Sequence, residues 1–129
     1  MSTYSAAHLD EIAAEQWPYW APIRHHFGIQ SFGINGWRGT DGDEVIKRHH
    51  ESESGASELY VVMSGRATFD VGGEEIDAPA GTLVFVRDAT VERAAFAKEE
   101  GTVVLSIGAA ADGQAYEPAG WDTSYLEAS

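Results

Sequence analysis

The sequence predicts an all-β fold, an antiparallel sandwich or small barrel, and three observations carry the prediction. The chain divides into about eight short apolar runs of strand length. Turn residues punctuate those runs at short, regular intervals, as at Ser64-Gly65, Gly72-Gly73 and Pro79 to Gly81. Strands do not alternate with amphipathic helices of the kind that build parallel sheets. At 129 residues, 43% of them hydrophobic, the chain is one domain long enough for a core.

Taken in order, residues 5–16 read as a short helix. Ser5 can cap it, Leu9, Ile12 and Ala13 fall at helical spacing, and Pro18 stops it. Trp17, Trp20 and Phe27, set around Pro18 and Pro22, form an aromatic cluster suited to covering a barrel end, a subunit contact or a ligand platform. His25-His26 precede a strand from Phe27 to Trp37, so at most one ring of the pair packs inward. Arg38 to Asp43 is a solvated turn without the glutamate that completes an EF-hand calcium loop. Glu44 to His50 is the next strand, and Glu51 to Ser57 a polar loop.

Glu58 opens an apolar run that Ser64-Gly65 closes. Arg66 to Val71 follows, and the two read as strand, two-residue turn, strand. Glu74 to Ala78, Thr82 to Val86, Thr90 to Phe96 and Thr102 to Ile107 complete the set, the last two joined by the acidic turn Lys98 to Gly101. Beyond Gly108, Tyr116, Pro118, Trp121, Tyr125 and Leu126 are anchors able to pin a polar tail to the body. The expected division is an N-terminal arm with a short helix (1–26), a barrel (27–111) and a C-terminal arm (112–129).

Charge and composition exclude whole classes of function. Twenty-one acidic residues against 8 basic ones give a net charge of −13, which repels both nucleic-acid backbones and anionic membrane surfaces. The absence of cysteine rules out disulfides, thiolate metal sites and cysteine nucleophiles. Met1 to Glu11 has neither the basic nor the apolar region of a signal peptide, and no apolar run nears the roughly 20 residues that span a bilayer. The expected location is the cytoplasm. Neither nucleotide-binding glycine fingerprint occurs, and Ser64 and Ser106 lie in no nucleophile elbow.

Glu58 and Gly65, with six residues between them, resemble the end of the first conserved motif of the cupins, G-x5-H-x-H-x3,4-E-x6-G. The resemblance covers roughly residues 40–107 and implies a double-stranded jelly-roll barrel. It also implies a divalent metal inside, held by two histidines and the glutamate of the first motif and by a histidine of the second. Counted from Gly42, the two first-motif histidine positions fall on Arg48 and His50; shifted by one, they fall on His49 and Glu51. Both pairs obey strand alternation, so both remain open. The second motif, G-x5-P-x-G-x2-H-x3-N, counted from Gly81, places Arg87, Ala89, Glu92 and Phe96 at its other fixed positions. By this correspondence Glu92 replaces the third histidine, and the metal set is degraded to one histidine, Glu58 and Glu92.

The leading functional expectation is therefore a small-molecule-binding protein with a modified, metal-free barrel pocket. Its candidate residues are His49, His50, Glu58, Tyr60, Glu92 and Arg93, Tyr60 sharing the face of Glu58 by alternation. Glu58 and Glu92, facing one interior, could also act as an acid/base pair. The enzyme alternative is a metal-dependent, dioxygenase- or isomerase-like cupin in which His49 or His50, Glu58 and Glu92 hold a divalent transition metal. A third is a structural or regulatory dimer with a filled barrel. Sheet edges and Trp-rich arms further suggest a homodimer that covers Trp17, Trp20 or Trp121.

Overall fold

A computed structural model describes residues 3–14, 17–111 and 114–118. Among the described residues, nine antiparallel strands form two sheets: β1 (Trp20–Ala21), β2 (Gly33–Gly39), β3 (Glu44–His49), β4 (Ser57–Ser64), β5 (Arg66–Val71), β6 (Glu74–Pro79), β7 (Leu83–Val86), β8 (Arg93–Ala97) and β9 (Thr102–Ala109). One sheet has the order β1-β2-β9-β4-β7 and the other β3-β8-β5-β6. The expected all-β class and the jelly-roll arrangement are both present.

Alternation decides which residues enter the core. On β4 the inward residues are Glu58, Tyr60 and Val62; on β9 they are Thr102, Val104 and Ser106; on β5 they are Ala67 and Phe69. Tyr60 and Phe69 meet in the middle with ring centroids 5.5 Å apart, and Val62, Val104, Val84 and Val86 pack around them. Burial of each such side chain contributes about 1.5–3 kcal/mol.

The turn chemistry divides into two cases. Gly72 and Gly73 both take positive φ, 59° and 91°, and close the β5–β6 hairpin. Ser64-Gly65 does not close a hairpin. β4 pairs with β9 and β7, whereas β5 pairs with β6 and β8, so Gly65 is the corner where the chain passes from one sheet to the other. Its φ is 72°, and a Cβ there would lie 2.7 Å from the Thr102 Cα.

The N-terminal segment departs from expectation. The helix over 5–16 contracts to α1 (Leu9–Ile12), capped by His8 and not Ser5. The Asp10 amide donates to His8 Nδ1 (3.1 Å), the His8 amide donates to Glu11 (3.3 Å), and Ala14 then leaves the helix to donate to the Trp20 carbonyl. The strand expected from Phe27 begins only at Gly33. Ile23–Phe27 instead forms α2, started after Pro22 and ended by Gly28 in the left-handed region. His25 is thus a half-buried helical residue and His26 an exposed one.

Trp20 is not available for a subunit contact. It lies buried in β1, stacks on Trp37 at 6.2 Å and donates to Asn35 Oδ1 at 2.8 Å, so the sheet takes in residues expected to belong to the arm. Ile12, Ala21 and Ile23 form a second small core with Leu9 and Phe27, over Ile34 and Leu105 on the outer face of the larger sheet. Trp121, Tyr125 and Leu126 lie outside the described residues. Among the described residues no helix is long and apolar enough to cross a membrane.

Candidate functional site

The site lies where β3 and β8 of one sheet face the start of β4 in the other. β4 is regular against β7 here, stepping one residue for one from Glu58↔Val86 to Val61↔Leu83, and this fixes Glu58 inward. β3 is not regular. Its partners on β8 run Glu44↔Phe96, Ile46↔Ala95 and His49↔Arg93, so β3 carries an extra residue in each interval. The two bulges bury Val45 and Ile46 consecutively, expose Lys47 and Arg48 consecutively, and turn His49 toward Glu58.

This choice of register brings together His49, Glu51 and Glu58. His49 Nε2 lies 3.1 Å from Glu51 Oε1 and 3.1 Å from Glu58 Oε1. His49 Nδ1 lies 2.6 Å from the Lys47 carbonyl oxygen. With both ring nitrogens facing acceptors, the ring fits as an imidazolium donating from each. Burial alone would push its pKa down. The hydrogen bonds to Glu51, Glu58 and Lys47, with the Glu58 charge, outweigh that and raise it to about 10.

Glu58 Oε1 accepts two further hydrogen bonds, from the Tyr60 hydroxyl at 2.7 Å and from Arg93 Nη1 at 2.7 Å. Burial pushes this carboxyl up, but the donors His49 and Tyr60 and the positive charges of His49 and Arg93 hold it below the usual carboxylate range. The Tyr60 phenol is pushed well up, by burial first and then by the charge and hydrogen bond of Glu58. It is a fixed donor at any pH a cell meets.

Arg93 is the residue whose role the sequence hid. Its side chain is 0% exposed, while that of Glu92 is 59% exposed. On β8 the core-facing residues are Arg93, Ala95 and Ala97, so the family spacing counted from Gly81 falls one residue short of the inward position. The turn before β8 wraps the guanidinium: Nε donates to the Val91 carbonyl at 3.0 Å and Nη2 to the Asp88 carbonyl at 3.2 Å. Asp88 in turn accepts from the Thr90 amide and hydroxyl, which holds the turn closed.

The remaining candidates lie apart. Glu92 points outward with Arg48, whose guanidinium pairs with Asp70 at 2.8 Å and lies 4.0 Å from Glu92. The expected Glu58–Glu92 pair is thus not formed; the second carboxylate beside Glu58's partner His49 is Glu51. His50 is exposed, and its Nδ1 accepts from the Ser52 amide in the following turn. The sequence contained Glu51 only as half of one register option. Only the bulges, which have no signature in residue type, select it.

Comparison with known proteins agrees with this architecture. A cupin protein from Bacteroides fragilis superposes with a TM-score of 0.70 at 17% identity, covering 92% of this chain and 93% of that one. The fold is that of the cupins. A sugar phosphate isomerase of the cupin superfamily from Silicibacter pomeroyi has a TM-score of 0.60 at 15% identity, over 71% of this chain and 59% of its own. A predicted oxalate decarboxylase from Thermotoga maritima gives 0.56 at 16%, over 68% and 74%. Neither a protein-family model nor a curated protein matches the sequence.

Donor chemistry tests whether the family's metal fits. One atom each from His49, Glu51 and Glu58 lie within 4.8 Å of one another, a spacing three ligands could close around an ion. Arg93, the inward residue of β8 next to Glu92, brings a buried guanidinium to this cluster instead of a further ligand. Arg93 already engages the Glu58 oxygen, and two cations facing two carboxylates bring the cluster to neutrality. A divalent ion would displace the His49 proton and sit beside the fixed positive charge of Arg93. The set fits two ion pairs better than a resident transition metal.

Proposed function

We propose that this chain is a small-molecule-binding cupin whose site works without a metal. The observation that carries the reading is the buried Arg93–Glu58 pair, in which the guanidinium supplies the cation that Glu58 needs. The cluster grades from interior to solvent: the side chains of Arg93, Glu58, Glu51 and His49 are 0%, 14%, 27% and 35% exposed. A ligand would therefore meet His49 and Glu51 first.

A neutral cluster of donors and acceptors suits a neutral, hydroxyl-bearing ligand, a polyol or simple sugar, that exchanges hydrogen bonds without adding charge. The description of one similar structure as a sugar phosphate isomerase is compatible with hydroxyl recognition, although phosphate would meet a chain of net charge −13.

The test is a titration of the protein with a panel of alditols, pentoses and hexoses, following the His49 ring resonances by NMR. The proposal expects a saturable shift with at least one compound, abolished in Glu58→Gln. No response to any hydroxyl-bearing compound, with saturation by manganese, nickel or zinc instead, would replace it with a metal-dependent enzyme built on His49, Glu51 and Glu58.

A further inference from the structure

On the inner face of the larger sheet, beside the cluster around Glu58, two buried polar residues have only half of their hydrogen bonds. Asn35 is 7% exposed and Ser106 8%. Each is held by an indole, which can only donate. Trp20 Nε1 donates to Asn35 Oδ1 at 2.8 Å, and Trp37 Nε1 donates to Ser106 Oγ at 2.9 Å. The indoles claim the oxygens and leave over the hydrogens of the Asn35 amide nitrogen and of the Ser106 hydroxyl. Among the described residues neither finds an acceptor. Buried donors are costly to leave unmet, so an unused pair side by side points to a ligand. The Asn35 nitrogen is not sealed off, so a ligand can reach it.

Register places the pair within the site. Ser106 lies opposite Asn35 on one side and Tyr60 on the other, so the three form one row across the inner face. The neighbouring row is Gly33, Gly108 and Glu58. Gly33 admits the Tyr116 side chain against the strand, while Gly108 places no side chain beside Glu58. Glu58 and Ser106 are then diagonal neighbours, about 7–8 Å apart, which is the span of a small sugar ring. Glu58 has an unused atom of its own. Its Oε1 accepts from His49, Tyr60 and Arg93, and its Oε2 accepts from nothing among the described residues.

We propose that Asn35 and Ser106 are specificity-determining residues that together bind a carbonyl oxygen, while Glu58 Oε2 accepts from a hydroxyl of the same molecule. The assignment rests on the site being one for hydroxyl-bearing ligands, and it narrows the class to uncharged hydroxy-carbonyl compounds, of which sugar lactones are the simplest rigid case. Residues directly opposite on a ladder have Cβ atoms about 4.5–5.5 Å apart, so both donors can reach one oxygen. A hydroxyl there would turn its own hydrogen onto a pair whose oxygens Trp20 and Trp37 already occupy. A carboxylate would suit the donors but not the charge. The Arg93 guanidinium is spent on Glu58, Val91 and Asp88, and the chain carries a net −13.

The experiment titrates the whole chain at neutral pH with ribono-, xylono- and galactono-γ-lactone, and with the anhydroalditols of the same rings, in which a methylene replaces the carbonyl. NMR follows the His49 ring and the Asn35 side-chain amide. At least one lactone should bind roughly 10-fold or more tighter than its methylene counterpart, and only the lactone should shift the Asn35 amide. Ser106→Ala should cut that preference to roughly 3-fold or less while leaving the methylene compound bound as in the parent. Asn35→Asp, which keeps an oxygen for Trp20 Nε1 but loses the donors, should do the same. Thermal melts accompany both variants; where one does not fold, the lactone-to-methylene ratio in the parent decides alone. Equal binding of both members of every pair, with His49 shifting and Asn35 unmoved, overturns the carbonyl assignment and leaves the hydroxyl-binding site standing. No response to any lactone, in a protein whose His49 resonance saturates with a plain sugar, does likewise. Silence toward every hydroxyl-bearing compound overturns both.

Discussion

Glu58 and His49 meet at 3.1 Å, yet they arrive from two differently built regions. Glu58 and Tyr60 come from β4, in a sheet whose ladders run residue for residue at this end. His49 and Glu51 come from β3 and the turn after it, where two bulges reset which side chains point inward. The regular region fixes one carboxylate deep in the barrel. The bulged region delivers a cation and a second carboxylate to it from the solvent side. The difference teaches that here the ladder specifies the fold, while the irregularities and one off-spacing arginine specify the chemistry.

The largest expected effect breaks the join between the two regions. Arg93→Met leaves the Glu58 carboxylate buried without its fixed counter-charge, and the fold should lose about 3–5 kcal/mol at neutral pH by urea or thermal denaturation. Adding Glu58→Gln should restore part of that loss, because the two residues act as one pair. If Arg93→Met melts like the parent, the guanidinium is not the compensating charge.

The next effect separates the regions by pH. His49 has its folded pKa raised from 6.5 to about 10. The stabilisation it brings is therefore complete below about 6.5 and is lost as pH rises through about 10. Its partial exposure reduces the effect to about 1–2 kcal/mol. Glu58 has a lowered folded pKa, so its contribution is present above its usual value of 4.5 and is lost as pH falls through the folded value. Melting temperature should decline on both limbs; His49→Gln should flatten the alkaline limb and, because His49 helps to hold the Glu58 carboxyl down, make the acid limb shallower as well. Parallel alkaline limbs in the parent and His49→Gln would remove His49 from the cluster.

The smallest effect is a near-zero one. Glu92→Gln and His50→Ala should each change stability by less than about 0.5 kcal/mol, since both side chains face solvent on the outside of the cluster. A loss above about 2 kcal/mol in either would contradict their placement.

How far the sequence carried the fold and the site follows from the same division. The regular strands were readable because period-two alternation and glycine turns are written in residue types: Glu58, Tyr60 and Val62 fall inward as alternation requires. The hairpin at Gly72-Gly73 was equally legible, whereas Gly65 looked like a second hairpin turn, because a positive-φ corner and a turn ask for the same residue. His49 and His50 were indistinguishable, since a bulge inserts a residue without leaving a mark in composition. Glu92 took the place of Arg93 because family spacing was counted across a turn that shifts it by one position. The N-terminal helix was overextended because apolar spacing does not show where a backbone amide, here that of Ala14, is claimed by another strand.

The central claim is that Arg93, and not a metal, balances Glu58. Elemental analysis of protein purified without chelator or affinity metal tests it most directly, with the parent and Arg93→His measured together. The account predicts well under one equivalent of iron, manganese, nickel, copper or zinc in the parent, and a rise in bound metal when histidine replaces the guanidinium beside His49, Glu51 and Glu58. One full equivalent in the parent, lost on Glu58→Ala, would contradict it.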